Sequence, residues 1–91
     1  MSTRKTILKR KHRARLFREQ CGLCFYCAKP MLLQDGCNLP NAATLDHVIP
    51  LSMGGIWSPR HNAVAACLRC NHERGTADGR LFMLRKQGLA S

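Results

Sequence analysis

Residues 24–27 read Cys-Phe-Tyr-Cys, and residues 67–70 read Cys-Leu-Arg-Cys. The C-x-x-C spacing lets two thiolates grip one ion, and two such pairs read as one tetrahedral zinc site joining distant knuckles. Its ligands are then Cys24, Cys27, Cys67 and Cys70. The rival reading is a disulfide framework, because the chain holds six cysteines and small secreted domains are often disulfide-dense. Against it, the N-terminus is basic with no apolar run behind it, so no secretory signal is expected. Paired C-x-x-C also suits zinc better than two structural disulfides. Cys21 lies three residues before Cys24 and is a competing ligand on spacing alone, but Cys21 and Cys37 are both expected to be small apolar residues.

A staple of this kind is needed. The chain has 91 residues, enough for one small domain and too few for a Rossmann or TIM-barrel enzyme. Its aromatics are Phe17, Phe25, Tyr26, Trp57 and Phe82. So light a core supplies roughly 3–5 kcal/mol, whereas structural zinc contributes about 10–16 kcal/mol of apparent folding free energy in small peptides. The zinc-free chain is therefore expected to be largely unfolded. No apolar run approaches the ~18 residues of a membrane span, and a cytoplasmic location is expected.

Lys and Arg total 15 against five Asp and Glu, a formal charge of +10. A compact chain this basic is drawn to polyanions, with nucleic acid the default partner. The charge concentrates in residues 1–20, which include Arg4, Lys5, Lys9, Arg10, Lys11, Arg13, Arg15 and Arg18 against Glu19 alone. Residues 1–6 read as a loose arm and about 7–20 as a basic helix stopping near Gly22, with Leu16 and Phe17 as core anchors. His12 belongs to this arm. The arm tracks phosphates, or is a solvated tail, or is a targeting segment; the first reading places Arg10, Lys11 and Arg13 on nucleic acid. Residues 1–20 are taken as this arm and 21–91 as the main domain.

Further along, Ala43–Ile49 is strand-like and Ala63–Ala66 is a second short strand. The stretch from Cys67 to Gly75 is helical. Thr76 is expected to cap a last helix over about Ala77–Gln87, with Asp78 in its first turn and Leu81, Phe82, Leu84 and Leu89 on its apolar face.

Chemistry gathers between and after the strands. Asp46-His47-Val48-Ile49-Pro50-Leu51-Ser52 precedes Gly54-Gly55, then Asn62, then Asn71 directly after Cys70. Adjacent strand residues point apart unless the strand ends there. Asp46 and Asn71 offer hard oxygens, which suit Mg2+ or Mn2+ with further oxygens from substrate phosphate. An imidazole with an ordinary pKa near ~6.5 suits His47 as a general base. Together these are parts for metal-assisted phosphodiester hydrolysis.

Over about residues 20–76, these segments resemble the HNH endonucleases of the small zinc-stapled kind found in phage and mobile elements. The resemblance rests on Cys24–Cys27, Asp46–Ser52 with Gly54-Gly55, Asn62, and Cys67–Asn71 with Arg74. It implies a small α+β protein with the ββα-metal (His-Me finger) fold, a four-cysteine structural zinc and flanking helices. It implies His47 as the general base, Asp46 and Asn71 as ligands of a catalytic Mg2+ or Mn2+, and Asn62 holding the loop that fixes the His47 backbone. The substrate would be DNA, cut to 5′-phosphate and 3′-hydroxyl ends. The chain would act as a monomer or weak dimer, with phage packaging or mobile-element proteins as possible partners. Asn71 stands where the letter pattern has its last His, making this the HNN variant and favouring Mg2+. His72 lies about 100° round a helix from Asn71 and reads as a phosphate contact or bystander. Arg74 and Arg69 are expected to contact nucleic acid. Trp57 either stacks on a base or closes the loop, and His61 is expected at the surface. On charge and zinc alone, a non-catalytic zinc-dependent nucleic-acid binder is the alternative, and a protein-interaction module using the basic helix on an acidic partner a third; neither needs Asp46, His47 and Asn71.

Overall fold

The strand-like Ala-Thr-Leu-Asp-His stretch, Ala43–His47 (β1), pairs antiparallel with Ala63–Cys67 (β2), Ala43 opposite Cys67 and His47 opposite Ala63. The computed structural model describes residues 4–50, 53–56, 62–86 and 88. Leu51, Ser52, Trp57, His61, Gln87 and Leu89, for which the sequence suggests roles, lie outside them. β1 stops two residues earlier than its composition predicts. After His47 the ladder continues for one bond, Val48 N–H to the Asn62 carbonyl at 2.9 Å, and then the Asn62 side chain replaces the partner strand. β2 runs one residue further than expected, to Cys67.

The helix Arg4–Glu19 (α1) lies across this sheet. It begins three residues before the predicted start, because no breaker interrupts the run from Arg4. Residues 4–6 are thus helix rather than loose arm, and residues 1–3 lie outside the description. The stop is where Gly22 predicts it: the Gly22 N–H returns to the Phe17 carbonyl at 2.8 Å, with Cys21 and Gly22 both left-handed. Leu16 is buried in the same core as Tyr26, Met31, Ala65, Ala66 and Phe82, so α1 is built into the body of the protein. Burying one such leucine is worth roughly 1.5–3 kcal/mol. Gln20, just past the helix, pairs with the outer edge of β2: its amide donates to the Ala65 carbonyl and accepts from the Ala65 N–H, both at 2.9 Å.

After β2 the chain turns directly into Leu68–Arg74 (α2) and then Gly79–Lys86 (α3). Cys67 caps α2, its sulfur accepting the Cys70 N–H. The last helix starts later than Thr76 suggests, because Asp78 is the better cap. Its Oδ1 accepts the Arg80 N–H at 2.8 Å, and its carbonyl accepts the first helical bond, from Phe82. The Arg80 guanidinium and N–H hold the Asp78 carboxyl down at about 2. The buried stripe of α3 also differs from the predicted one. Gly79, Phe82 and Met83, at positions i, i+3 and i+4, face the core, while Leu81 and Leu84 are exposed. Lys86 covers the outer side of the Phe82 ring and pairs with Glu73 at 2.6 Å. No described helix is long and apolar enough to cross a membrane.

Candidate functional site

The four cysteines of the two C-x-x-C pairs meet. The sulfurs of Cys24, Cys27, Cys67 and Cys70 all lie within 4.8 Å of one another, those of Cys27 and Cys67 at 3.9 Å. Thiolates at ~2.3 Å around one tetrahedral zinc stand ~3.8 Å apart, and a disulfide would need ~2.05 Å. Backbone N–H groups already point at the sulfurs, from Tyr26 and Cys67 to Cys24 and from Cys70 to Cys67, at 3.3–3.4 Å. Burial pushes the Cys67 and Cys70 thiols up. At Cys27 burial acts in the same sense, but hydrogen bonds from Lys29 and the neighbouring sulfurs outweigh it and bring the thiol to about 7. Four soft ligands with no open position make a structural zinc site. Cys21 and Cys37 take no part in it. Cys21 is exposed at a left-handed position, contrary to the expectation of an apolar filler.

Three residue pairs along the sheet from Cys67 lies Asp46, buried to 2% exposure. Both of its oxygens are engaged: Oδ2 accepts the Tyr26 hydroxyl at 2.7 Å, and Oδ1 accepts Nη2 of Arg74. Arg74 is itself buried, and its Nη1 donates to the Ala77 carbonyl at 2.7 Å. The guanidinium expected to face a phosphate is therefore turned inward onto Asp46, because a carboxylate this deep must have a counter-charge. Burial and the adjacent carboxylate raise the Tyr26 phenol far above its ordinary pKa.

Alternation puts Thr44 on the same strand face as Asp46. From α2, Asn71 reaches that face and donates its amide to Thr44 Oγ1 at 3.0 Å. His47 is half-buried at the last position of β1, where the strand gives way to a loop. Asn62 ties that loop down three times at 2.8 Å, accepting from Ile49 N and donating to the carbonyls of Ile49 and Ile56. Of the paired glycines, Gly55 follows from this closeness, since a Cβ there would strike the Ile49 carbonyl and the Asn62 amide, whereas Gly54 takes a left-handed φ of 86°.

The basic residues divide. Arg10, Lys11 and Arg13 line one cleft on α1 together with Asp35, to which Arg10 and Arg13 both pair. A neighbouring cleft lined by Lys9, Arg10 and Arg13 opens onto Thr44 and Leu45 of β1. Arg69 is exposed on α2 and shares a separate cleft with His72. His12 contacts Arg15 along α1. Sequence reasoning missed Tyr26, Thr44, Gln20 and Asp35. Period-two alternation from Asp46 points to Thr44; for Tyr26 the only signal is an aromatic inside a knuckle.

The region described is the one shared with known proteins. Over 58 residues the chain is 33% identical to the CRISPR-associated endonuclease Cas9 of Corynebacterium diphtheriae, a stretch that covers 64% of this chain and about 5% of that much longer relative. A sequence model of HNH endonucleases matches residues 24–82, from the first zinc cysteine to the buried phenylalanine of α3. The chain belongs to the HNH endonuclease family.

Proposed function

We propose that this protein is a divalent-metal-dependent endonuclease that hydrolyses phosphodiester bonds in DNA. The observation that carries the reading is that Asn71 of α2 bonds to Thr44, which shares a strand face with Asp46, with His47 next in the chain at the strand's end. The donor set fits a hard cation. Asp46 has lone pairs beyond the two that Tyr26 and Arg74 occupy, and Asn71 meets Thr44 through its amide nitrogen, which leaves its carbonyl oxygen. Asp46 and Asn71 would hold Mg2+ or Mn2+, which supplies Lewis-acid stabilisation of the charge that builds on the phosphate and the departing 3′-oxygen. His47 takes a proton from the attacking water, whose oxygen bonds to phosphorus as the bond to the 3′-oxygen breaks. The 3′-oxygen takes a proton from solvent water, so the products carry a 5′-phosphate and a 3′-hydroxyl. Asn62 keeps the turn after His47 from relaxing, and the α1 clefts, with a chain charge of +10, draw the phosphate backbone toward β1.

A plasmid-nicking assay with and without Mg2+ tests this. His47→Ala should lose cleavage by at least about a hundredfold while zinc content and DNA affinity stay at wild-type values. A His47→Ala variant that nicks at the wild-type rate overturns the mechanism. A wild-type protein that binds DNA but never nicks, with either Mg2+ or Mn2+, makes this a zinc-stapled binding module instead.

A further inference from the structure

Tyr26 sits between two zinc-site cysteines, yet its hydroxyl ends on Asp46, 2.7 Å from Oδ2. The side chain has little freedom. It is among the most deeply buried in the protein, and its ring packs edge-on against Phe25 and Phe82 with centroids 5.2 and 5.0 Å away. Its backbone N–H is tied to the Cys24 sulfur. The zinc knuckle therefore delivers a phenol to a fixed point beside the carboxylate. On the other side of that carboxylate stands Arg74, whose planar fork is shaped to take both oxygens of a carboxylate at once. It takes only Oδ1, and its Nε has no hydrogen-bond partner among the described residues.

We propose that Tyr26 is a positioning residue for the divalent cation: its hydroxyl holds one Asp46 oxygen apart from the Arg74 fork and aims it for metal ligation. The inference rests on the reading of Asp46 as a ligand of the catalytic ion. Without the hydroxyl, the carboxylate rotates into a two-point pair with Arg74, and the cation must compete with a buried guanidinium for both oxygens. Outer-shell partners of metal ligands typically change metal affinity by ten- to a hundredfold when removed. Tyr26→Phe keeps the ring and its packing, so a drop of about tenfold in cation affinity is expected, with fold and zinc content retained.

The experiment uses the zinc-loaded full chain. Mn2+ binding is measured by electron paramagnetic resonance for wild type, Tyr26→Phe and Asp46→Ala, with zinc stoichiometry and circular dichroism recorded for each. Weakened Mn2+ binding by a folded, zinc-loaded Tyr26→Phe supports the proposal, as does cleavage that returns toward the wild-type rate at high Mg2+. Wild-type Mn2+ affinity in Tyr26→Phe, with binding lost in Asp46→Ala, overturns the positioning role and leaves Asp46 as a ligand. Wild-type affinity in Asp46→Ala overturns the ligand reading itself, and this inference with it. Tyr26 is the chain's one tyrosine, so a tyrosine-labelled wild-type sample gives a single ring signal by nuclear magnetic resonance. Should Tyr26→Phe fail to fold, that signal decides: it shifts on Mg2+ titration if the phenol senses the ligand, and a signal unmoved at saturation overturns the proposal.

Discussion

The side chain of Asn62 stands in for a strand partner that the chain does not supply. Beyond His47, the N–H and carbonyl of Ile49 have no β2 residue opposite them, and one amide satisfies both while also holding the Ile56 carbonyl. Asn62→Ala leaves these groups facing a site that is itself buried, and each unsatisfied buried group costs about 1–3 kcal/mol. A net loss of about 2 kcal/mol is expected, read as a lowered melting temperature with unchanged zinc content. Nicking should fall with it, because Ile49 is two residues from His47. Asn62→Asp is the sharper probe. It keeps the acceptor for Ile49 N–H but turns a negative oxygen on two carbonyls, so it should be no better than alanine. At this scale, residue type and spacing made Asp46, His47, Asn62 and Asn71 legible as candidates, because each carries recognisable chemistry in a short local motif. The partners of Asp46 were not legible. Tyr26 and Arg74 lie 20 and 28 residues away, and which arginine turns inward is decided by three-dimensional packing.

Among the elements, the strands and the α1 stop at Gly22 were readable from composition and turn residues, and the start of α3 was not, since capping chemistry moved it. Asp78 outcompeted Thr76, and the buried stripe of α3 falls on Gly79, Phe82 and Met83. Gly79 is where that helix docks on the site. Its N–H donates to the Val48 carbonyl at 2.7 Å, and a Cβ there would come within 2.6 Å of both the Tyr26 hydroxyl and the Val48 oxygen. Alanine normally favours a helix over glycine by up to about 1 kcal/mol. Here that gain meets a backbone carbonyl that cannot swing aside, and overpacking of this kind costs about 1–3 kcal/mol. Gly79→Ala is therefore expected to destabilise the protein, by about 4–8 °C in melting temperature per kcal/mol lost in a domain of this size. A melting temperature at or above wild type would show that α3 docks elsewhere.

For the molecule as a whole, the zinc site and the hydrophobic core are one structure. Cys24, Cys67 and Cys70 are members of the buried cluster that holds Leu16, Tyr26, Met31 and Phe82. The C-x-x-C spacing announced this staple from the sequence, because four thiolates tolerate few arrangements around one ion. What it could not announce is that the staple also carries Tyr26 to the Asp46 carboxylate. Chelation at neutral pH should consequently do more than remove a metal. With about 10–16 kcal/mol of apparent folding free energy withdrawn from a core worth only roughly 3–5 kcal/mol, the chain should lose its helical circular dichroism and its cooperative melting transition together. Adding zinc back should restore both, and Mg2+ alone should restore neither, since a hard cation has little affinity for thiolates. A chain that keeps its melting transition with no bound zinc would place the stability in the apolar contacts alone, and would detach Tyr26 and Asp46 from the four cysteines.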